Sequence, residues 1–309
     1  MPEWLKIVLC VLAIIVLALV ILVLVIGTLL AKNFAHPNLL TYEHGRDFLK
    51  EHDGYGRYDS YKKIDYLITL RDGYKINARY IPQEVESKKY IIIAHGVTAN
   101  MIYDAKYADL FYDLGYNLVT FDERGHGKNE KTIVTMGLKE GEDLIEIIND
   151  TRKRYGDDIY LGVHGESMGA AITLMSLKYK PNIKFAICDC PYADLEELSY
   201  GFAKKNLHMP KFIVKVGGFM GKIFYGYNCL KVKPIENAKD STIPLLLCTG
   251  EDDKLIPKED SQKVYDIYKG FKMIHYTKGA DHAGSISVDR PTYVKVCKEF
   301  LKKVEELDQ

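Results

Sequence analysis

Residues 159–175 read IYLGVHGESMGAAITLM and join an apolar run to a helical pattern. The run Ile159–Val163 predicts a buried strand and Met168–Tyr179 predicts a helix, so the Gly-Glu-Ser-Met-Gly motif at 165–169 forms the turn between them. A turn this sharp strains its central residue, and its two glycines remove Cβ atoms that would clash. The pattern therefore predicts that Ser167 is lifted above the carboxyl edge of a sheet, beside a helix N-terminus that favours developing negative charge.

A serine in this position is a candidate nucleophile, and a nucleophilic serine needs a base. The alternative is a tight turn whose serine only caps the helix. His282 is the preferred base among nine histidines, because it follows the last strand run and precedes the last helix. That places it at the same sheet edge as Ser167. His95, His126 and His164 are the competing candidates.

The base in turn needs an orienting carboxylate, which should lie between Ser167 and His282 in the chain. The loop after the strand run Leu245–Cys248 carries three adjacent acids, Glu251, Asp252 and Asp253. Chemistry alone does not choose among them. Asp194 is a less suitable candidate because it lies outside a strand-end loop of this kind.

Two backbone N–H groups should hold the developing oxyanion. One belongs to Met168, the residue after the candidate nucleophile. The second is expected from Val97, in the loop that follows the strand run Tyr90–Ala94, where Gly96 permits a close approach.

The remaining pattern is that of an α/β domain. An Asp-Gly turn at 72–73 between two alternating runs indicates a hairpin. After it, short apolar runs alternate with helical patterns, which favours a mostly parallel, eight-stranded sheet covered by helices on both faces.

An insertion at about 194–237 interrupts this alternation of strands and helices, and we interpret it as a lid over the site. Several apolar residues recur at a spacing that places them on one helical face, expected to face the substrate: Phe212, Val216, Phe219, Met220 and Ile223. Of these, Phe212, Phe219 and Met220 are the predicted substrate-binding residues. Lys211, Lys215 and Lys222 form an adjacent stripe suited to anionic lipid headgroups, and three glycines are expected to interrupt the helix. The alternative is an ordinary helix packed on the core.

The uncharged run Ile7–Ala31 has 25 residues, enough for about 37 Å of helix and more than the ~30 Å hydrocarbon core of a membrane. A cleaved signal peptide is the alternative, but its apolar segment is shorter and ends in a small-x-small site. The sequence thus predicts a membrane anchor at 1–32, a juxtamembrane spacer at 33–60 and a catalytic domain at 61–309. The anchor is expected to supply tethering only.

The membrane topology is expected to be single-pass, with the domain on the extracytoplasmic side. A short tail before the first apolar run resembles an uncleaved export signal. The mild excess of Lys32, Arg46 and Lys50 after the run favours the opposite orientation.

Composition excludes several function classes. The chain has 42 Lys+Arg and 42 Asp+Glu, so it lacks the basic footprint of a nucleic-acid binder. Its six cysteines contain no C-x-x-C pair, and free thiols, no structural metal and no cofactor are expected.

From about Tyr61 onward the chain resembles the α/β-hydrolase fold family, particularly its serine aminopeptidase-like and monoacylglycerol lipase-like branch, including membrane-anchored bacterial types. The resemblance rests on five stretches: His95-Gly96, residues 121–127 (FDERGHG), residues 165–169, residues 250–257 and Asp281-His282. It implies that the acid is Asp253, which stands three residues after a glycine and four before a proline. Lys128 departs from the family, where serine is common.

The leading hypothesis is a membrane-anchored serine hydrolase that cleaves small or lipid-like carboxylic esters, with Ser167, His282 and Asp253 as a triad. A peptide hydrolase acting from the amino end is the second hypothesis, although no residue marks a site for a substrate ammonium. A non-catalytic binding module is the third, and it usually lacks a triad member.

Overall fold

The computed structural model describes residues 1–52 and 54–308. Its eight strands are β1 Ile64–Thr69, β2 Lys75–Ile81, β3 Lys89–Ala94, β4 Asn117–Phe121, β5 Tyr160–Glu166, β6 Phe185–Asp189, β7 Leu245–Gly250 and β8 Lys272–Thr277. They form one sheet in the order β1-β2-β4-β3-β5-β6-β7-β8. β2 is antiparallel to β1 and to β4, and the strands from β4 to β8 are parallel to their neighbours. The predicted mostly parallel, eight-stranded sheet is confirmed.

The hairpin between β1 and β2 closes as its Asp-Gly turn predicts. Gly73 has φ +83°, a conformation that costs glycine little. The Asp72 carboxylate accepts a hydrogen bond from the N–H of Tyr74 at 3.0 Å, which fixes the turn and the register of the two strands.

The helices are α1 Glu3–Ala35, α2 Tyr42–Glu51, α3 Ala105–Asp113, α4 Leu138–Tyr155, α5 Met168–Ser176, α6 Leu195–Leu207, α7 Lys211–Tyr225, α8 Pro234–Ala238, α9 Lys258–Ile267, α10 Ser285–Val288 and α11 Arg290–Leu307. α4 and α5 cover one face of the sheet, where Leu144 and Ile172 are buried. α3 and α11 cover the other face, where Phe111 and Phe300 are buried. Both faces of the parallel strands are therefore shielded from solvent, as their continuous apolar runs require.

α1 is long and apolar enough to cross a membrane. It runs three residues past the predicted end of the anchor. The following segment, predicted as a spacer, packs onto the domain: Leu49 of α2 and Tyr58 are buried, and the Tyr42 hydroxyl donates to Asp122 at 2.5 Å.

The insertion at 194–237 contains α6, α7 and α8. α7 is continuous from Lys211 to Tyr225, so its glycines do not interrupt it. They lie on its buried face together with Ile213 and Val214, because a residue without a side chain lets neighbouring elements approach closely. The larger side chains of Phe212, Phe219 and Ile223 consequently point outward, opposite to the predicted orientation.

Candidate active site

Ser167 occupies the turn between β5 and α5 with φ 55° and ψ −114°. A non-glycine residue in this region carries roughly 1–3 kcal/mol of strain, which the surroundings must hold. Two glycines make the turn possible. A Cβ atom added to Gly165 would lie 2.3 Å from the carbonyl oxygen of Gly169. A Cβ atom added to Gly169 would lie 2.1 Å from the carbonyl oxygen of Ala94. The motif thus presents the Ser167 hydroxyl at the carboxyl edge of the sheet.

Three residues from three separate loops meet at this edge. The Ser167 hydroxyl donates to Nε2 of His282 at 2.9 Å. Nδ1–H of the same ring donates to Oδ2 of Asp253 at 2.8 Å. This is the geometry in which a carboxylate fixes the imidazole tautomer that can accept a serine proton.

The Asp253 side chain is fully buried. Its Oδ1 accepts the N–H groups of Leu255 and Ile256 at 2.9 and 2.8 Å, which leaves Oδ2 for the imidazole. Glu251 and Asp252 are exposed. Asp194 accepts the N–H of Glu196 at the start of α6, so it caps a helix away from this loop.

The competing histidines contact other groups. His95 and His164 are buried, and burial lowers the pKa of each to about 3, so both are neutral and weakly basic. Nε2 of His164 lies 3.1 Å from the Tyr293 hydroxyl. The ring of His126 contacts the Val97 carbonyl. These histidines stabilise the loops around the site.

The two predicted oxyanion donors lie beside Ser167, since Val97, Ser167 and Met168 line one cavity. Met168 is the first residue of α5, so its N–H has no partner within the helix. In the described part of the chain, the N–H of Val97 donates to no acceptor. Both N–H groups are therefore available for a developing negative charge.

The cavity has a volume of about 360 Å³ and a mainly apolar lining, within the range of small-ligand sites. The lid contributes Leu198, Phe202, Val214, Gly217 and Gly218 to this lining, whereas Phe212, Phe219 and Met220 do not reach it. Phe212 and Phe219 are 54% and 57% exposed, and Met220 is buried on the glycine face of α7. The predicted substrate-binding role of these three residues is therefore wrong, and Val214, Gly217 and Gly218 line the cavity instead.

The sequence did not predict that α1 lines the cavity. Leu30, Asn33 and Phe34 do so. A signal was present, because Gly27, Ala31 and Ala35 recur every fourth residue, a spacing typical of close helix packing.

A buried ion pair behind the site was also missed. Lys106 on α3 pairs with Glu166, next to the candidate nucleophile, and its Nζ donates to the Ala283 carbonyl at 3.1 Å. Burial opposes the charge of Lys106, but the Glu166 carboxylate outweighs it and raises the pKa of the ammonium. The pair therefore ties the Ser167 turn to the His282 loop.

Cys190 lies within 4.8 Å of Asp253 and His282 in ligand-atom distance. The set does not fit a metal centre well, because the Asp253 and His282 atoms already bond to one another. Burial also raises the pKa of the Cys190 thiol, and a neutral thiol is a poor ligand.

Comparisons with known proteins agree with this fold. The sequence profile of the family described as serine aminopeptidase, S33, matches residues 85–236. The chain has the α/β-hydrolase fold. A Pyrococcus furiosus esterase has a solved structure similar to this hydrolase, with a TM-score of 0.65 and 24% identity, over 80% of this chain and 95% of that one. At that identity the likeness concerns the fold.

Two curated relatives have similar sequences. The uncharacterized protein YqkD of Bacillus subtilis is 28% identical over 258 residues, or 82% of this hydrolase and 84% of that protein. The lysophosphatidylserine lipase ABHD12 of Macaca fascicularis is 27% identical over 207 residues, or 62% of this hydrolase. The match spans half of that lipase's length.

Proposed function

We propose that this chain is a membrane-anchored serine hydrolase that cleaves carboxylic esters through an acyl-enzyme. The observation that carries the proposal is the hydrogen-bonded series from Ser167 through His282 to Asp253 beside an apolar cavity. The names of the lysophosphatidylserine lipase with a similar sequence and of the esterase with a similar structure support an ester substrate.

In the proposed mechanism, Oγ of Ser167 attacks the ester carbonyl carbon while Nε2 of His282 takes the hydroxyl proton. The Asp253 carboxylate stabilises the resulting imidazolium, and the N–H groups of Val97 and Met168 hold the oxyanion. Collapse of the tetrahedral intermediate breaks the bond to the alcohol, which leaves with the proton from His282. Water then repeats the sequence on the acyl-enzyme and regenerates the serine.

A mainly apolar cavity favours acyl esters over peptides with a free amino end. Recognition of an ammonium group needs a carboxylate, and none of the described residues that line the cavity is acidic. The serine aminopeptidase activity named by the family profile is the second candidate. A non-catalytic binding module is disfavoured because all three triad side chains are present and hydrogen-bonded.

We also propose that α1 anchors the enzyme in a membrane as a single pass, with the catalytic domain on the extracytoplasmic side. α1 presents an exposed apolar surface from Ile7 to Val25, which water would solvate poorly.

The test compares full-length wild type with Ser167→Ala in detergent micelles, using p-nitrophenyl esters, aminoacyl p-nitroanilides and a fluorophosphonate probe. Ester turnover should fall by roughly three orders of magnitude or more in Ser167→Ala, and probe labelling should disappear. Ser287→Ala, at an exposed serine of α10, is the matched control and should retain both. Labelling that persists in Ser167→Ala would remove this residue from the nucleophile role. Faster cleavage of the anilides would favour the peptidase.

A further inference from the structure

The C-terminal part of α1 packs along α7, and the two helices run in the same direction. An added Cβ at Gly27 would lie 2.7 Å from Cγ1 of Val216. About nine residues further along both helices, the ring centroids of His36 and Tyr225 lie 5.4 Å apart. The contact therefore extends over roughly 13 Å of helix, and small residues make it close.

The same part of α1 reaches the candidate active site. Leu30, Asn33 and Phe34 share one side of the helix at i, i+3 and i+4 spacing. They line the cavity of about 360 Å³ that also contains Ser167. A bound acyl chain would therefore contact α1 directly.

The outer surface of the α6–α7 hairpin is apolar. Its exposed large side chains are Phe212, Phe219, Ile223 and Phe224, while Phe202 and Leu207 are half-exposed where they line the cavity. Lys215 and Lys222 are exposed on α7 and form no ion pair within the described residues. Exposed aromatic and aliphatic groups beside free lysines are typical of helices that lie at a lipid surface.

The position of α1 identifies the partner of this surface. A hydrocarbon core of ~30 Å takes about 20 residues of helix, so a run that begins at Ile7 leaves the core close to Gly27. Gly27 is also where α1 meets α7. With α1 in a membrane as proposed above, the hairpin would lie at the membrane boundary with its apolar surface next to the lipid.

We propose that α1 forms a wall of the acyl pocket in addition to anchoring the enzyme, and that this pocket opens to the bilayer between α1 and the α6–α7 hairpin. The acyl chain of a membrane-resident lipid ester then enters the pocket from the lipid phase, without transfer through water. This inference rests on the proposed ester hydrolysis at Ser167 and specifies the source of its substrate.

The role of α1 as a wall of the acyl pocket is tested with the full-length chain in phosphatidylcholine vesicles. The substrates are p-nitrophenyl dodecanoate, which has a long acyl chain, and p-nitrophenyl acetate, which has a short one. Leu30→Trp should fill the cavity and lower dodecanoate turnover by about tenfold or more, with acetate turnover little changed. Leu30→Ala should enlarge the cavity and shift the preference toward longer chains. Leu29→Trp is the matched control, because Leu29 is 55% exposed and lies outside the cavity lining.

The opening to the bilayer is tested in the same vesicles with Phe219→Asp. This variant should reduce dodecanoate turnover more than acetate turnover, because transfer of a carboxylate from water to a lipid surface is costly. Val85→Asp, at a 78% exposed residue between β2 and β3, should have no such effect.

Each outcome bears on a different part of the proposal. An unchanged chain-length ratio in the Leu30 variants, or an equal effect of Leu29→Trp, would overturn the wall while fluorophosphonate labelling stays intact. Equal loss on both esters in Phe219→Asp would overturn the opening to lipid. Wild type that neither labels nor cleaves any ester would overturn the serine hydrolase proposal, and this inference with it.

Discussion

At the scale of single residues, Asp253 divides its two carboxylate oxygens between structure and chemistry. Oδ1 accepts two backbone N–H groups and so fixes the loop, whereas Oδ2 accepts the imidazole N–H of His282. Asp252 is the adjacent carboxylate in the same loop, and it is exposed. Asp253 and Asp252 therefore allow a matched test, because the same substitution can be made at a carboxylate that faces His282 and at one that faces solvent.

Asp253→Asn should lower kcat for ester hydrolysis by roughly 10³- to 10⁴-fold. The amide oxygen can still accept the two backbone N–H groups, so the loop is retained. The amide nitrogen then faces Nδ1 of His282 as a donor, which favours the wrong imidazole tautomer. Steady-state kinetics and melting temperature measure the two effects. Asp252→Asn is the control, and a larger kcat loss there would assign the acid to Asp252.

The strand–turn–helix pattern predicted the position of Ser167 because the elbow depends on residues adjacent in sequence, Gly165 to Gly169. Chain order identified His282, since a loop after the last strand must end at the same sheet edge. Lys106 was missed for the opposite reason. Its partners, Glu166 and the Ala283 carbonyl, are 60 or more positions away, and no local pattern marks a buried lysine.

At the scale of elements, α7 shows why the lid orientation was predicted wrongly. The sequence places both a large apolar set and a glycine set on the helix, and periodicity alone does not say which one is buried. The contact with α1 resolves this, because Gly27 on α1 and Gly217 on α7 allow the helices to approach closely. Such a pairing joins residues about 190 positions apart. It becomes predictable only when both small-residue stripes are considered together.

Removal of the anchor provides an element-scale prediction. In a fragment that starts at Asn33, α7 loses its contacts with Gly27, Leu30 and Ala31, while the sheet keeps its own core. Backbone amides of α7 should therefore exchange with solvent faster than in the full-length chain, and those of β5 should not. Hydrogen exchange with mass spectrometry measures both segments. Equal protection of α7 in the two proteins would mean that α1 supplies tethering only.

At the scale of the whole molecule, buried ionisable groups make stability depend on pH in two opposing directions. Burial lowers the pKa of His95 and His164 to about 3. Below about pH 6.5 the unfolded chain takes up protons that these residues exclude when folded, so their contribution falls as pH falls. Burial raises the pKa of Asp104 and Glu123, and their contribution falls as pH rises. Neither pH dependence can be read from the formal net charge of zero, because both arise from the burial of individual groups.

Glu123 offers the clearest test of this balance. Both of its carboxylate oxygens are buried and lack a hydrogen-bond partner in the described part of the chain. Burial raises its pKa first, and the nearby carboxylates of Glu140 and Asp143 raise it further. Folded Glu123 therefore keeps its proton at a pH where the unfolded chain releases it, above about pH 4.5. Stability from this group is complete below that pH and is lost as pH rises.

Glu123→Gln replaces the protonated carboxyl by a neutral group of similar shape that does not titrate. The free energy of unfolding of the variant, relative to wild type, should be constant below about pH 4 and should increase between pH 4.5 and 7. The slope should approach about 1.4 kcal/mol per pH unit. Denaturant unfolding in micelles at several pH values measures it, with Glu130→Gln, at an exposed position of the following loop, as the matched control. A difference that does not vary with pH would mean that Glu123 is ionised in the folded protein, and that a partner for its charge exists in solution.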